Sequence, residues 1–93
     1  MVRSTMGSPE TLLDAMAGYL ATLASHANPA TVAAYRQDLS AFCQFAEQRG
    51  VIQASALDTA LARAFLGAER SRGLAPRSLA RRRAALSRFA DAL

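Results

Sequence analysis

Apolar residues recur at three- and four-residue steps through most of this chain. Between residues 32 and 46, Val32, Tyr35, Leu39, Phe42, Cys43 and Ala46 fall on one face. That is the period of an amphipathic helix, not of a strand. Leu13, Met16, Leu20 and Leu23 repeat the pattern upstream. Leu61, Phe65 and Ala68 repeat it downstream, followed by Leu79, Leu86, Phe89 and Leu93. No segment shows the sustained two-residue alternation and turn signals of a β-strand.

Punctuation residues set the boundaries. Pro9, Pro29 and Pro76 suit the first helical position, where a missing N–H costs nothing. Ser8, Asn28 and Asp58 can cap the helices that follow them, whereas Ala75 has no side-chain acceptor. Gly50 and Gly73 fit left-handed positions just past helix ends. The pattern predicts helices over about 9–26, 29–49, 59–72 and 76–93, in a compact all-α four-helix bundle. Residues 1–8 are expected to form a flexible N-terminal segment, and residues 9–93 the folded domain. Gly18 and Gly67 lie inside helices, where each costs about 1 kcal/mol relative to Ala. Close helix approach at both is the expected compensation. Nothing that stops a helix follows Leu93, so the natural protein is expected to continue beyond it.

Composition narrows the possible chemistry. No apolar run approaches the roughly 20 residues that span a bilayer, and the N-terminus lacks the apolar core of a secretory signal. The expected compartment is the cytoplasm, with no membrane partner. One cysteine, Cys43, and one histidine, His26, make neither an internal disulfide nor a convincing metal site. His26 falls near a helix end, where a dipole or capping role is expected. No nucleotide loop or catalytic constellation is visible, so no cofactor and no enzymatic activity are expected of this chain.

Charge changes the picture most. Every basic residue is Arg. Residues 1–69 carry a net charge of −2 and residues 70–93 a net charge of +6, with Asp91 the one acid of that second stretch. Such clustering points to a polyanionic partner. At 100° per residue, Arg77, Arg81 and Arg88 fall opposite the apolar stripe of the last helix, with small Ala84 beside them. Arg82 and Arg83 flank the stripe. A solvated helix face normally mixes both signs. Here Arg77 and Arg81 are like charges at i,i+4, a pairing that an anion would relieve. Arg also forks onto phosphate and onto the guanine edge.

"NPATVAAYRQDLSAFCQFAEQRG" followed by "RSRGLAPRSLARRRAALSRFADAL" resembles the N-terminal core-binding domain of Xer-type tyrosine recombinases and phage integrases. The matching positions are Thr31, Tyr35, Asp38, Leu39, Phe42 and Phe45, then Gly73, Leu74, Ser78, Arg81, Leu86, Phe89 and Leu93. The resemblance implies a SAM-like orthogonal bundle that clamps one side of a recombination half-site on double-stranded DNA. Its second and fourth helices would cross the major groove. It also implies neighbouring recombinase protomers as partners in the full-length synaptic complex. Carried over by position, the DNA-facing candidates are Thr31, Arg36, Gln37, Arg72, Arg77, Ser78, Arg81, Arg82 and Arg88. Family members commonly have Ser or Thr where this chain has Ala75, and Arg where it has Ser87. The family's catalytic Arg, Lys, His and Tyr residues belong to a further domain that this chain does not contain. Tyr19 and Tyr35 sit on apolar stripes and are expected to pack. The alternative reading is a helical protein-interaction module, whose contact surface would include Leu12, Phe45 and Leu66.

Overall fold

The computed structural model describes residues 10–93. These form four α-helices, α1 (Leu12–Ala24), α2 (Pro29–Gln48), α3 (Thr59–Ser71) and α4 (Pro76–Ala92). One 3-10 turn, Ala54–Ala56, interrupts the connection between α2 and α3. Helix α2 is central and packs on each of the other three.

The caps account for most of the boundaries. Asn28 Oδ1 accepts from the Thr31 N–H at 2.9 Å, and Asp58 Oδ1 accepts from the Leu61 N–H at 2.8 Å. Helix α4 starts at Pro76 with no side-chain cap, as Ala75 requires. Gly50 (φ 77°) and Gly73 (φ 92°) are left-handed and close Schellman motifs. Val51 N–H donates to the Ala46 carbonyl and Leu74 N–H to that of Glu69.

Helix α1 departs from expectation. It begins at Leu12, and its cap is Thr11, whose Oγ1 accepts from the Asp14 N–H at 3.0 Å. The expected Ser8–Pro9 start lies outside the described residues. A short antiparallel tie fixes this start: Leu12 N–H donates to Ile52 O, Ala54 N–H donates to Glu10 O, and Thr11 bridges Gln53. The tie turns the first helical turn so that Leu12 is buried and Leu13 is 51% exposed. The expected stripe through Leu13 is therefore wrong by most of a quarter-turn, and Leu12 and Ala15 take its place.

The core is one cluster. Phe42, Phe65, Phe89, Leu20 and Leu39 are its largest fully buried apolar side chains. Phe42 and Phe45 meet Phe65 with ring centroids 5.4 and 5.5 Å apart, and Tyr19 meets Phe89 edge-on at 5.7 Å. Ala15, Ala46 and Ala85 are all buried and mark where the helices come together. All six α2 stripe residues are buried as expected. Leu93 is half exposed and is not part of the α4 stripe.

The expected close approach at Gly18 and Gly67 is overturned. A Cβ built at either position meets nothing within 4 Å. Both glycines carry the entropic cost of the unfolded chain with no packing return. Gly18→Ala and Gly67→Ala should each raise stability by up to about 1 kcal/mol, read as a higher urea midpoint with unchanged m-value.

Cys43 is buried and lies 3.8 Å from the Met16 sulfur. Burial, reinforced by the charge of Glu47, pushes its thiol from 9.0 up to about 11. Below pH 9.0 the thiol is protonated in folded and unfolded chains alike. Between 9.0 and about 11 the unfolded thiol ionises and the folded one does not, so stability falls as pH rises. Urea unfolding across this range should show a decline that is shallower in Cys43→Ala.

Candidate nucleic-acid interface

Two buried acids organise the arginine-rich end of the chain. Asp38, on the α2 face that meets α4, is completely buried. Arg81 donates to it through Nε and Nη2, both at 2.9 Å, in a parallel fork. This hydrogen bond raises the already high pKa of the Arg81 guanidinium, so its charge is fixed at any working pH. Arg82 lies behind it, also buried, with Nε 3.8 Å from Asp38 and Nη1 3.0 Å from Glu69. Its guanidinium also sits over the Phe65 ring at 6.0 Å. Neither Arg82 Nε nor Nη1 points along a hydrogen bond, so Arg82 is held by charge and stacking more than by directed bonds. Glu69, buried on α3, receives Arg72 through Nε and Nη2 at 3.0 and 3.1 Å.

This network corrects the expected arrangement of α4. Its buried residues are Leu79, Arg82, Ala85, Leu86 and Phe89. Counting Arg82 and Ala85 rotates the buried arc by about 20° from the one the large apolar residues define. Arg82 is consequently a core residue that does not snorkel to the surface. Arg81 leaves the outer ridge and stands at the α2–α4 seam, with its side chain 39% exposed. Arg88 is exposed but also reaches α2, donating to the Tyr35 hydroxyl. Of the three-residue ridge, only Arg77 stands clear of α2, exposed and without a carboxylate within 4.0 Å among the described residues. The like-charge tension between Arg77 and Arg81 is relieved, in part, from within the protein.

The remaining candidates divide similarly. Arg36 and Gln37 are exposed on α2, and Thr31 is half-buried in its first turn. Ser78 is half-buried in the first turn of α4. Arg72 keeps 65% of its side chain exposed while bound to Glu69. The structure thus brings Arg81 and Arg88 to the α2–α4 seam, through Asp38 and Tyr35, and leaves Arg77 exposed outside it. Arg82 is excluded from the surface, and Arg72 is tethered at the far end of α3.

The tyrosines pack, as expected. Tyr35 is buried, and Tyr19 lies against Phe89. Burial first, then the neighbouring Tyr35, raises the Tyr19 phenol, with Arg88 opposing; a nucleophile needs the opposite shift. His26 is exposed beyond the end of α1. Leu12 is buried, and Phe45 and Leu66 pack partly against the core, so the three do not form the exposed apolar patch of the alternative reading.

Sequence reasoning missed Asp38 and Glu69 as partners of the arginines. The signal was present: each is a charged residue inside an otherwise apolar face, at Tyr35-Asp38-Leu39 and Phe65-Glu69. Removing Asp38 would strand Arg82 in the core beside Glu69 alone. Asp38→Ala should cost about 3–5 kcal/mol, whereas Arg77→Ala should change stability by no more than about 0.5 kcal/mol. Urea denaturation of both variants checks the contrast.

Comparison with known proteins identifies the family. Residues 16–93 match the family described as phage integrase, N-terminal SAM-like domain. Over 75 residues the chain is 63% identical to tyrosine recombinase XerC of Chromohalobacter salexigens, covering 81% of this chain and 25% of the relative. Over 52 residues it is 46% identical to tyrosine recombinase XerC of Xanthomonas campestris pv. campestris, covering 56% of this chain and 16% of the relative. The chain thus spans about a quarter or less of the length of these relatives. No solved structure matches it significantly. The chain belongs to the phage-integrase N-terminal SAM-like domain family.

Proposed function

We propose that this chain is the DNA-binding module of a site-specific tyrosine recombinase or integrase, acting in DNA recombination. It clamps one side of a recombination half-site, laying α2 and α4 along the major groove of double-stranded DNA. The catalytic domain that closes the clamp lies outside this chain, as do the neighbouring protomers of the synaptic complex. The working compartment is the cytoplasm, a reading compatible with the absence, among the described residues, of any helix long and apolar enough to cross a membrane.

The observation that carries the reading is the seam between α2 and α4. Arg81 and Arg88 reach across it to Asp38 and Tyr35, while Arg77 is exposed on α4 and Arg36 on α2. Arg77 and Arg36 are exposed cations with no acid partner among the described residues. The Arg81 guanidinium uses its Nε–Nη2 edge on Asp38, which leaves the Nη1–Nη2 end free to meet a phosphate or a guanine edge. Ala80 and Ala84 next to this ridge are small enough to let the helix axis come close to a groove floor.

Binding to duplex DNA should weaken steeply with salt, because each phosphate contact releases counterions. Arg77→Ala should lower the slope of log K against log salt by about 0.9, if the contact is to one phosphate, with folding unchanged. Fluorescence anisotropy of a labelled duplex over a salt series measures both. A chain that binds no duplex at low salt refutes the reading.

A further inference from the structure

A second basic surface lies on the other flank of α4. A cleft of about 280 Å³ between α3 and α4 is lined by Arg63, Leu66, Gly67, Arg70, Leu79 and Arg83. The three arginines are exposed, and none has a carboxylate within 4.0 Å among the described residues. They differ in this from Arg72, Arg81 and Arg82, whose charges are met by Asp38 and Glu69. Gly67 sits between Arg63 and Arg70 on the same helix face, and a Cβ there would meet nothing within 4 Å. The floor of the cleft is therefore open, while Leu66 and Leu79 wall it.

We infer that this cleft is a second phosphate site, holding the opposite strand of the duplex whose first strand follows the Arg77 ridge. The inference rests on the proposed function. Arg83 is about 120–160° around α4 from Arg77, Arg81 and Arg88 at 100° per residue. The two basic surfaces thus flank the outer crest of α4, which carries the exposed Ala80 and Ser87 and the half-buried Ala84. A helix with its side chains is roughly 10–12 Å across, and the major groove is about 12 Å wide. A duplex that receives this crest brings one phosphate strand to each flank.

The spread of charge favours a strand over a small anion. Arg63 and Arg70 are separated by about 10 Å along α3 at 1.5 Å per residue. A nucleic-acid strand rises about 3.4 Å per nucleotide, so the pair spans more than one phosphate. An acidic protein segment could also pair with guanidinium groups. The position of the cleft, one helix width from the ridge proposed to meet DNA, favours the duplex.

The test uses the 93-residue chain and a fluorescein-labelled DNA duplex of mixed sequence. Arg70→Ala/Arg83→Ala should lower the salt slope by about 1.8, twice the single-contact value, and weaken binding to all sequences alike. Urea midpoints should be unchanged, since both side chains are exposed. An unchanged slope in this variant, with a lowered slope in Arg77→Ala, overturns the second site and leaves the first reading standing. Loss of affinity for polyglutamate without loss for duplex also overturns it, by assigning the cleft to an acidic protein surface. If the unsubstituted chain binds no duplex, both readings fall.

Discussion

The burial of the Asp38 carboxylate constrains everything else at the basic end of this domain. An ionised carboxylate removed from water costs several kcal/mol unless charges and hydrogen bonds replace its hydration. Here Arg81 supplies two aligned N–H groups and Arg82 a second positive charge. Arg82 in turn is buried and requires Glu69, which in turn holds Arg72. The chain of obligations runs from α2 through α4 to α3. Any packing that slides α4 along its neighbours by one turn leaves a buried charge unmatched. The network is thus a registration device for α4, whatever its net contribution to stability.

The same constraint separates what the sequence made legible from what it did not. Helix number, the caps at Asn28 and Asp58, the left-handed glycines and the α2 stripe are local features. They follow from periods and backbone preferences within a few residues. The rotation of α4 is not local. Large apolar residues place its buried arc near Leu79, Leu86 and Phe89, but Ala85 and Arg82 move it. Helix α1 behaves likewise, since the tie to residues 52–54 buries Leu12 and Ala15 and exposes Leu13. In both helices alanine marks the contact side, while the internal glycines, the expected markers, face open space. A small residue permits close approach without enforcing it.

Charge counting along the chain was informative but incomplete for the same reason. The balance of +6 over residues 70–93 includes Arg81 and Arg82, whose partner Asp38 lies more than forty positions upstream, and Arg72, whose partner Glu69 lies just outside the stretch. Counting those two acids reduces the local balance to +4. What remains is better sorted than the raw total. Arg88 reaches α2, Arg77 stands exposed on α4, and Arg83 shares the α3–α4 cleft with Arg63 and Arg70 of α3. The folded domain has consumed part of its positive charge internally and divided the rest between two flanks of one helix.

The Arg81–Asp38 pair also has a consequence for the proposed recognition of DNA. A free arginine loses up to about 2 kcal/mol of rotamer entropy when it is ordered against a ligand. Asp38 has already ordered Arg81, at a cost met during folding. The fork fixes the guanidinium plane and leaves one edge facing out at the α2–α4 seam. Arg77 is exposed and has no such support among the described residues. The two residues therefore have different consequences for binding. In the proposed DNA complex Arg77 would contribute attraction that salt screens away, and Arg81 a planar donor set held in place by Asp38. Geometry of that kind can discriminate one base edge from another, and here it depends on an aspartate that is completely buried.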